Sequence, residues 1–146
     1  MSAPTGDPGG SVPTGDGAPK VPGEAYSFAV LRLVPRVERG ERVNIGVVLH
    51  CRRHKFLGLE LELDETRLRA LDPSLDLVAL RDQLGGLERI AVGDQSAGGI
   101  ATLDQSDRFG FLTAPSSTIV QPSPVHCGMT DDPVATLIAL AERYIR

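Results

Sequence analysis

Tryptophan is absent from this chain of 146 residues, and aromatic residues make up only 4% of it. Any core must therefore be built from leucine, valine, isoleucine and alanine, and the chain is short of the aromatic platforms on which single-stranded nucleic acids stack. Lysine is nearly absent too. Lys20 and Lys55 are the only two, and neither follows a glycine-rich phosphate loop. Basic charge is outnumbered: the net charge is -4 and the isoelectric point is about 5.3. A general nucleic-acid binder carries the opposite balance, so nucleic acid is not an expected partner. The two cysteines, Cys51 and Cys127, are too few for a disulfide scaffold. No apolar run reaches the roughly 20 residues of a membrane span. The first residues lack the basic start and apolar stretch of a secretory signal. These absences predict a cytoplasmic location, no membrane association and reduced thiols.

What is present divides in two. Residues 1–23 are nearly half proline and glycine, and the tetrapeptide Pro-Thr-Gly-Asp occurs at 4–7 and again at 13–16. Such a segment buries too little apolar surface to offset the entropy of ordering it, so a disordered tail is expected. Residues 24–146 contain the apolar patterning of a single domain. Its strongest signal lies at 26–51, YSFAVLRLVPRVERGERVNIGVVLHC, in which two β-branched apolar runs flank a charged connection. This predicts a β-hairpin, with Gly40 supplying the positive φ of its turn and Pro35 ending the first strand. Leu57, Leu59, Leu61 and Leu63 alternate strictly with other residues, predicting a third strand with Glu60 and Glu62 on its polar face.

Helical signals come next. Asp64 is expected to cap a short helix to about Leu71. Asp72-Pro73 resembles the N-cap and first turn of a second helix, whose apolar face would be Leu77, Leu80, Leu84 and Leu87 and whose end is Gly93. Ser106-Asp107 is read as capping a short turn. Residues 117–121 suggest a further short strand, with Pro122 and Pro124 confining the segment at 122–126 to a sheet edge. Thr130-Asp131-Asp132-Pro133 announces a final helix whose apolar stripe would be Val134, Leu137, Ile138, Ala141, Tyr144 and Ile145, with Ile138 expected near the middle of the docking face. The predicted fold class is α+β: an antiparallel sheet of about four strands, a meander plus one later strand, with helices packed on one face.

Two segments, VPRVERGERVNIGVVL at 34–49 and APSSTIVQPSPVHCG at 114–128, resemble a bacterial family known as domain of unknown function 3037. The likeness extends from about residue 26 to the C-terminus. It implies no particular reaction, cofactor or metal. Members of that family are often encoded beside proteins resembling HipA-type kinases, so the resemblance implies a HipA-like kinase as protein partner.

The residues themselves suggest where binding would occur. Arg32 is the only charge inside the first strand. A turn centred near Arg39-Gly40 would put it opposite Gly46 or Val47, with Asn44 on the face of Gly46. Arg36, Glu38, Arg39, Glu41 and Arg42 crowd the hairpin tip. This set reads either as an ordinary solvated turn or as a surface on which arginines grip a carboxylate or phosphate. A second set, Arg108, Ser116, Ser117, Thr118, Gln121, Ser123 and His126, reads either as local turn chemistry or as the other wall of an anion-accepting groove. His50, Cys51 and His54 together with His126-Cys127 make a poor zinc pattern, because His50 and Cys51 point to opposite strand faces. No metal, cofactor or catalytic residue is expected. The functional expectation is a protein-interaction or regulatory module. Its alternative is a small enzyme or binding protein for an anionic ligand, with Arg32, Arg36 and Arg108 as clamps and His126 as acid or base.

Overall fold

Leu31 and Val30, neighbours in sequence, are both buried, and so are Val47 and Val48. Successive strand side chains point to opposite faces, so the strands that hold these pairs must be covered on both sides. In the computed structural model, which describes residues 23–116 and 118–146, this is what the chain does. Of the expected tail at residues 1–23, residues 1–22 lie outside the described residues. Strands β1 (Glu24–Leu33), β2 (Val43–Cys51) and β3 (Phe56–Leu61) form the antiparallel meander. Two short strands, β4 (Val120–Pro122) and β5 (His126–Thr130), lie in tandem along the free side of β1. The sheet thus has five strands among the described residues, in the order β3-β2-β1-β4 with β5 also on β1.

Ser123 closes the gap between β4 and β5. Its backbone N–H donates to the Val30 carbonyl at 2.7 Å and its Oγ accepts from the Val30 N–H at 2.9 Å. A buried backbone pair flanked by prolines, which cannot donate, is satisfied in this way.

Helices cover both faces, not one as the sequence suggested. Helices α1 (Glu65–Leu71), α2 (Leu77–Val92) and α3 (Gln105–Leu112) pack Leu68, Leu80, Leu84, Phe109 and Leu112 against Ala29, Leu31, Leu33, Ile45 and Val48. Leu59, Leu61 and Leu63 join that side, as their alternation predicted. Helix α4 (Pro133–Tyr144) lies on the opposite face. There Leu137, Ala141 and Ile145 meet Phe28, Val30, Val47, Leu49 and Cys51. Gly58 permits the close approach of α4, since a Cβ on it would lie 2.7 Å from Leu137 Cδ2. Ile138, expected at the centre of the docking stripe, is 48% exposed. Leu137, Ala141 and Ile145, expected members of the same stripe, are buried against the sheet, and with Val134 also exposed the docking face is narrower than the stripe and centred on Leu137 and Ala141.

Helix starts depend on aspartate. Asp64, Asp76, Asp104 and Asp132 each accept a backbone N–H from the residue three positions on. Asp72 is not the N-cap of the second helix. It ends α1, and its carboxylate accepts from both the N–H and the hydroxyl of Ser74, an alternative local bond that leaves the capping to Asp76. Likewise α3 is capped by Asp104 rather than Ser106-Asp107.

Candidate functional site: an arginine-lined pocket at the hairpin base

The pairing of β1 with β2 contains one irregularity. Leu31 faces Gly46 but the next residue, Arg32, faces Asn44, so Ile45 is an extra residue bulged out of β2. The bulge corrects two expectations: Arg32 lies opposite Asn44 rather than Gly46 or Val47, and Asn44 does not share the face of Gly46. A Cβ on Gly46 would meet Leu61 and Leu31 on the α1–α3 side. Asn44 instead points to α4, where its Nδ2 donates to the Tyr144 carbonyl at 3.1 Å. That bond satisfies one of the carbonyls a helix leaves free at its C-terminus, and it holds Tyr144 beside the hairpin base.

The consequence is a cavity of about 280 Å³ lined by Arg32, Arg42, Val43, Asn44, Arg67 and Tyr144. Its three arginines come from β1, from the residue before β2, and from α1. Among the described residues none of the three has a carboxylate within ion-pairing distance, whereas Arg36, Arg39, Arg53, Arg81 and Arg146 each do. Partial burial and then the charge of Arg42 hold the pKa of the Arg32 guanidinium below its ordinary value. Both causes penalise the cation, and the charge of a bound anion would offset them.

The other residues singled out from the sequence lie elsewhere. Arg36 sits 3.9 Å from the buried Asp72 carboxylate and ties the hairpin connection to the α1–α2 junction. Arg39 closes on Glu41 through two contacts of 2.9 and 3.1 Å, and Glu38 is exposed in the short 3-10 turn 37–39. Arg108 donates to the Leu103 carbonyl at 3.2 Å and rests over Gly93, whose missing Cβ makes room for it. Gln121 is opposite Arg32 across β1 and β4, but its amide turns to the Thr118 carbonyl. Ser123 is spent on Val30. Ser116 and Thr118 bond each other, while Ser117 lies outside the described residues. His126 stacks beside Phe28, ring centroids 5.4 Å apart, and Phe28 is four residues from Arg32, roughly 13 Å along the strand. Arg32 and Asn44 are thus brought together in the pocket, and Arg36, Glu38, Arg39, Glu41, Arg108, Gln121, Ser123 and His126 are not.

Arg67 and Tyr144 are pocket residues that sequence reasoning missed, and Arg42 was assigned to the tip rather than the base. No local pattern marks them, since only the fold brings the first turn of α1 and the last turn of α4 to one end of the sheet.

The cysteines and histidines are dispersed. His50 stacks on Phe109 on the α3 side, Cys51 is buried on the α4 side with its thiol toward the Ala25 carbonyl, and Cys127 is exposed near Ser27. Among the described residues, no three His, Cys, Asp or Glu side chains are grouped to hold a metal ion. Among the same residues, no helix is long and apolar enough to cross a membrane.

An open antiparallel sheet with helices on both faces and an arginine-lined pocket at one end define an α+β domain. The chain belongs to the family described as protein of unknown function (DUF3037), whose sequence model matches residues 28–145. No curated protein and no solved structure gives a significant match.

Proposed function

We propose that the protein is a binding module for an anionic group, carried by a small ligand or by a partner protein, and that the group is received by Arg32, Arg42 and Arg67. The observation that carries this reading is that three arginines, none with a carboxylate in ion-pairing distance among the described residues, line one cavity. Like charges repel, and a fold that retains such an arrangement does so at a cost in stability. Guanidinium forks pair with carboxylate and phosphate oxygens through two parallel hydrogen bonds, which supplies both affinity and orientation. Asn44 and Tyr144, joined by the bond between the Asn44 Nδ2 and the Tyr144 carbonyl, complete the same wall.

The module acts in a reducing bacterial cytoplasm, and a kinase-like protein, the partner that the family resemblance implies, is the first to test. Thermal unfolding at constant ionic strength tests the reading. A multivalent anion at a hundred times its Kd should stabilise the protein by about 2.7 kcal/mol. The effect should vanish in Arg32→Gln and persist in Arg39→Glu, because Arg39 is already committed to Glu41. Equal stabilisation of all three proteins would contradict the proposal. Affinity capture with wild-type and Arg32→Gln baits then shows whether a protein carries the anion.

A further inference from the structure

We infer that the group this pocket takes is a phosphate monoester in its dianionic form, an inference that rests on the anion-binding reading above. Three positive charges converge from three separate elements, and among the described residues the lining contains no carboxylate and no histidine. A single carboxylate brings one negative charge and two oxygens, leaving most of that charge uncompensated. A phosphate monoester brings nearly two charges and three strongly accepting oxygens, enough for each guanidinium to find its own acceptor.

The cavity volume of about 280 Å³ lies just below the range of pockets that engulf whole drug-sized molecules, roughly 300–1,000 Å³. It suits a phosphoryl group with a short attachment, the remainder of the carrier lying outside. Val43 supplies an apolar contact for that attachment, and Tyr144, whose ring packs on Phe28 at 5.9 Å between centroids, stands at the same wall. A phosphorylated metabolite and a phosphorylated side chain of a protein share this chemistry.

Isothermal titration calorimetry with four probes separates the alternatives: glycerol phosphate, a phosphoseryl tripeptide, succinate and acetate. At least one monoester should bind ten or more times more tightly than either carboxylate. Because the second ionisation of such esters lies near pH 6, affinity should fall about tenfold from pH 7 to pH 5. Arg67→Gln, on the exposed side of α1, should weaken binding at least tenfold without altering the circular dichroism spectrum, and Arg32→Gln should do the same. A tighter tripeptide names a phosphoprotein as carrier and a tighter glycerol phosphate names a metabolite, and both retain the phosphoryl class. Carboxylates that match the monoesters with the same arginine dependence, or a monoester whose affinity ignores pH, would overturn the phosphate assignment while leaving anion binding intact. Failure of every probe to bind would remove the underlying reading as well.

Discussion

Truncating Leu137 and truncating Ile138 should have very different consequences, although the two are adjacent on one helix and of equal size. Leu137 is 5% exposed and sits among Phe28, Val30, Val47, Leu49 and Ala141 on the α4 face of the sheet. Leu137→Ala removes branched carbons worth about 0.8 kcal/mol each, about 2.4 kcal/mol in total, before any cavity is counted. Gly58 and Phe56 abut the same side chain, and a β-sheet floor collapses poorly into a void, so the total should fall at about 3–4 kcal/mol. Ile138 leaves half its surface in water, and Ile138→Ala should cost about 1 kcal/mol or less. Urea unfolding monitored by far-UV circular dichroism measures both. With a slope of about 1–3 kcal/mol per molar, Leu137→Ala should lower the midpoint by at least about 1 M and Ile138→Ala by only a fraction of that shift. Equal shifts, or a larger one for Ile138, would refute the helical phase that places α4 on the sheet.

Three further outcomes are expected. Ser123→Ala should destabilise by about 1–3 kcal/mol, because the buried Val30 N–H loses its acceptor, and hydrogen exchange at Val30 should accelerate more than at Val47. Burial, and secondarily Arg52, lower the pKa of His50 against an opposing pull from Asp104. The unfolded chain therefore binds the extra proton, so stability should rise with pH through the ordinary histidine range, level off above it and fall below it, and His50→Gln should flatten that slope in pH-dependent melting curves. Removing one pocket charge by Arg42→Gln should leave the ligand-free protein as stable as wild type or more so by a few tenths of a kcal/mol, most visibly at low salt, because it relieves repulsion with Arg32. A clear loss of melting temperature would mean that Arg42 has a stabilising partner.

The strands were legible because their signals are local. Gly40 takes a φ of 68° at the hairpin connection, and Gly93 one of 76° at the end of α2, where the sequence placed them. The double-sided sheet has a signal in the sequence as well, since FAVL and VVL are continuous apolar runs rather than alternating ones, although the alternation of Leu57 to Leu63 favours a one-sided sheet. The bulge at Ile45 left no mark in the sequence, and it reversed the facing of every residue before it on β2, so the neighbours of Arg32 were misassigned. Among the acids, the competition between Asp72 and Asp76 for one helix start was decided by Ser74, which engages Asp72 from both its backbone and its hydroxyl. The candidate site was half visible. Arg32 and Asn44 stood out as polar residues within apolar strands, whereas Arg67 belongs to a short helix rich in charge and Tyr144 to the last turn of the chain's final helix, where arginine and tyrosine are ordinary residues.

Side-chain NMR of the arginine Nε–Hε groups during titration with glycerol phosphate tests the central claim most directly. The resonances of Arg32, Arg42 and Arg67 should move together and saturate, with one Kd common to all three, while those of Arg36 and Arg39, already paired with Asp72 and Glu41, stay in place. Saturable shifts at Arg36 and Arg39 without movement at Arg32 and Arg67 would contradict the account and return the binding surface to the hairpin tip.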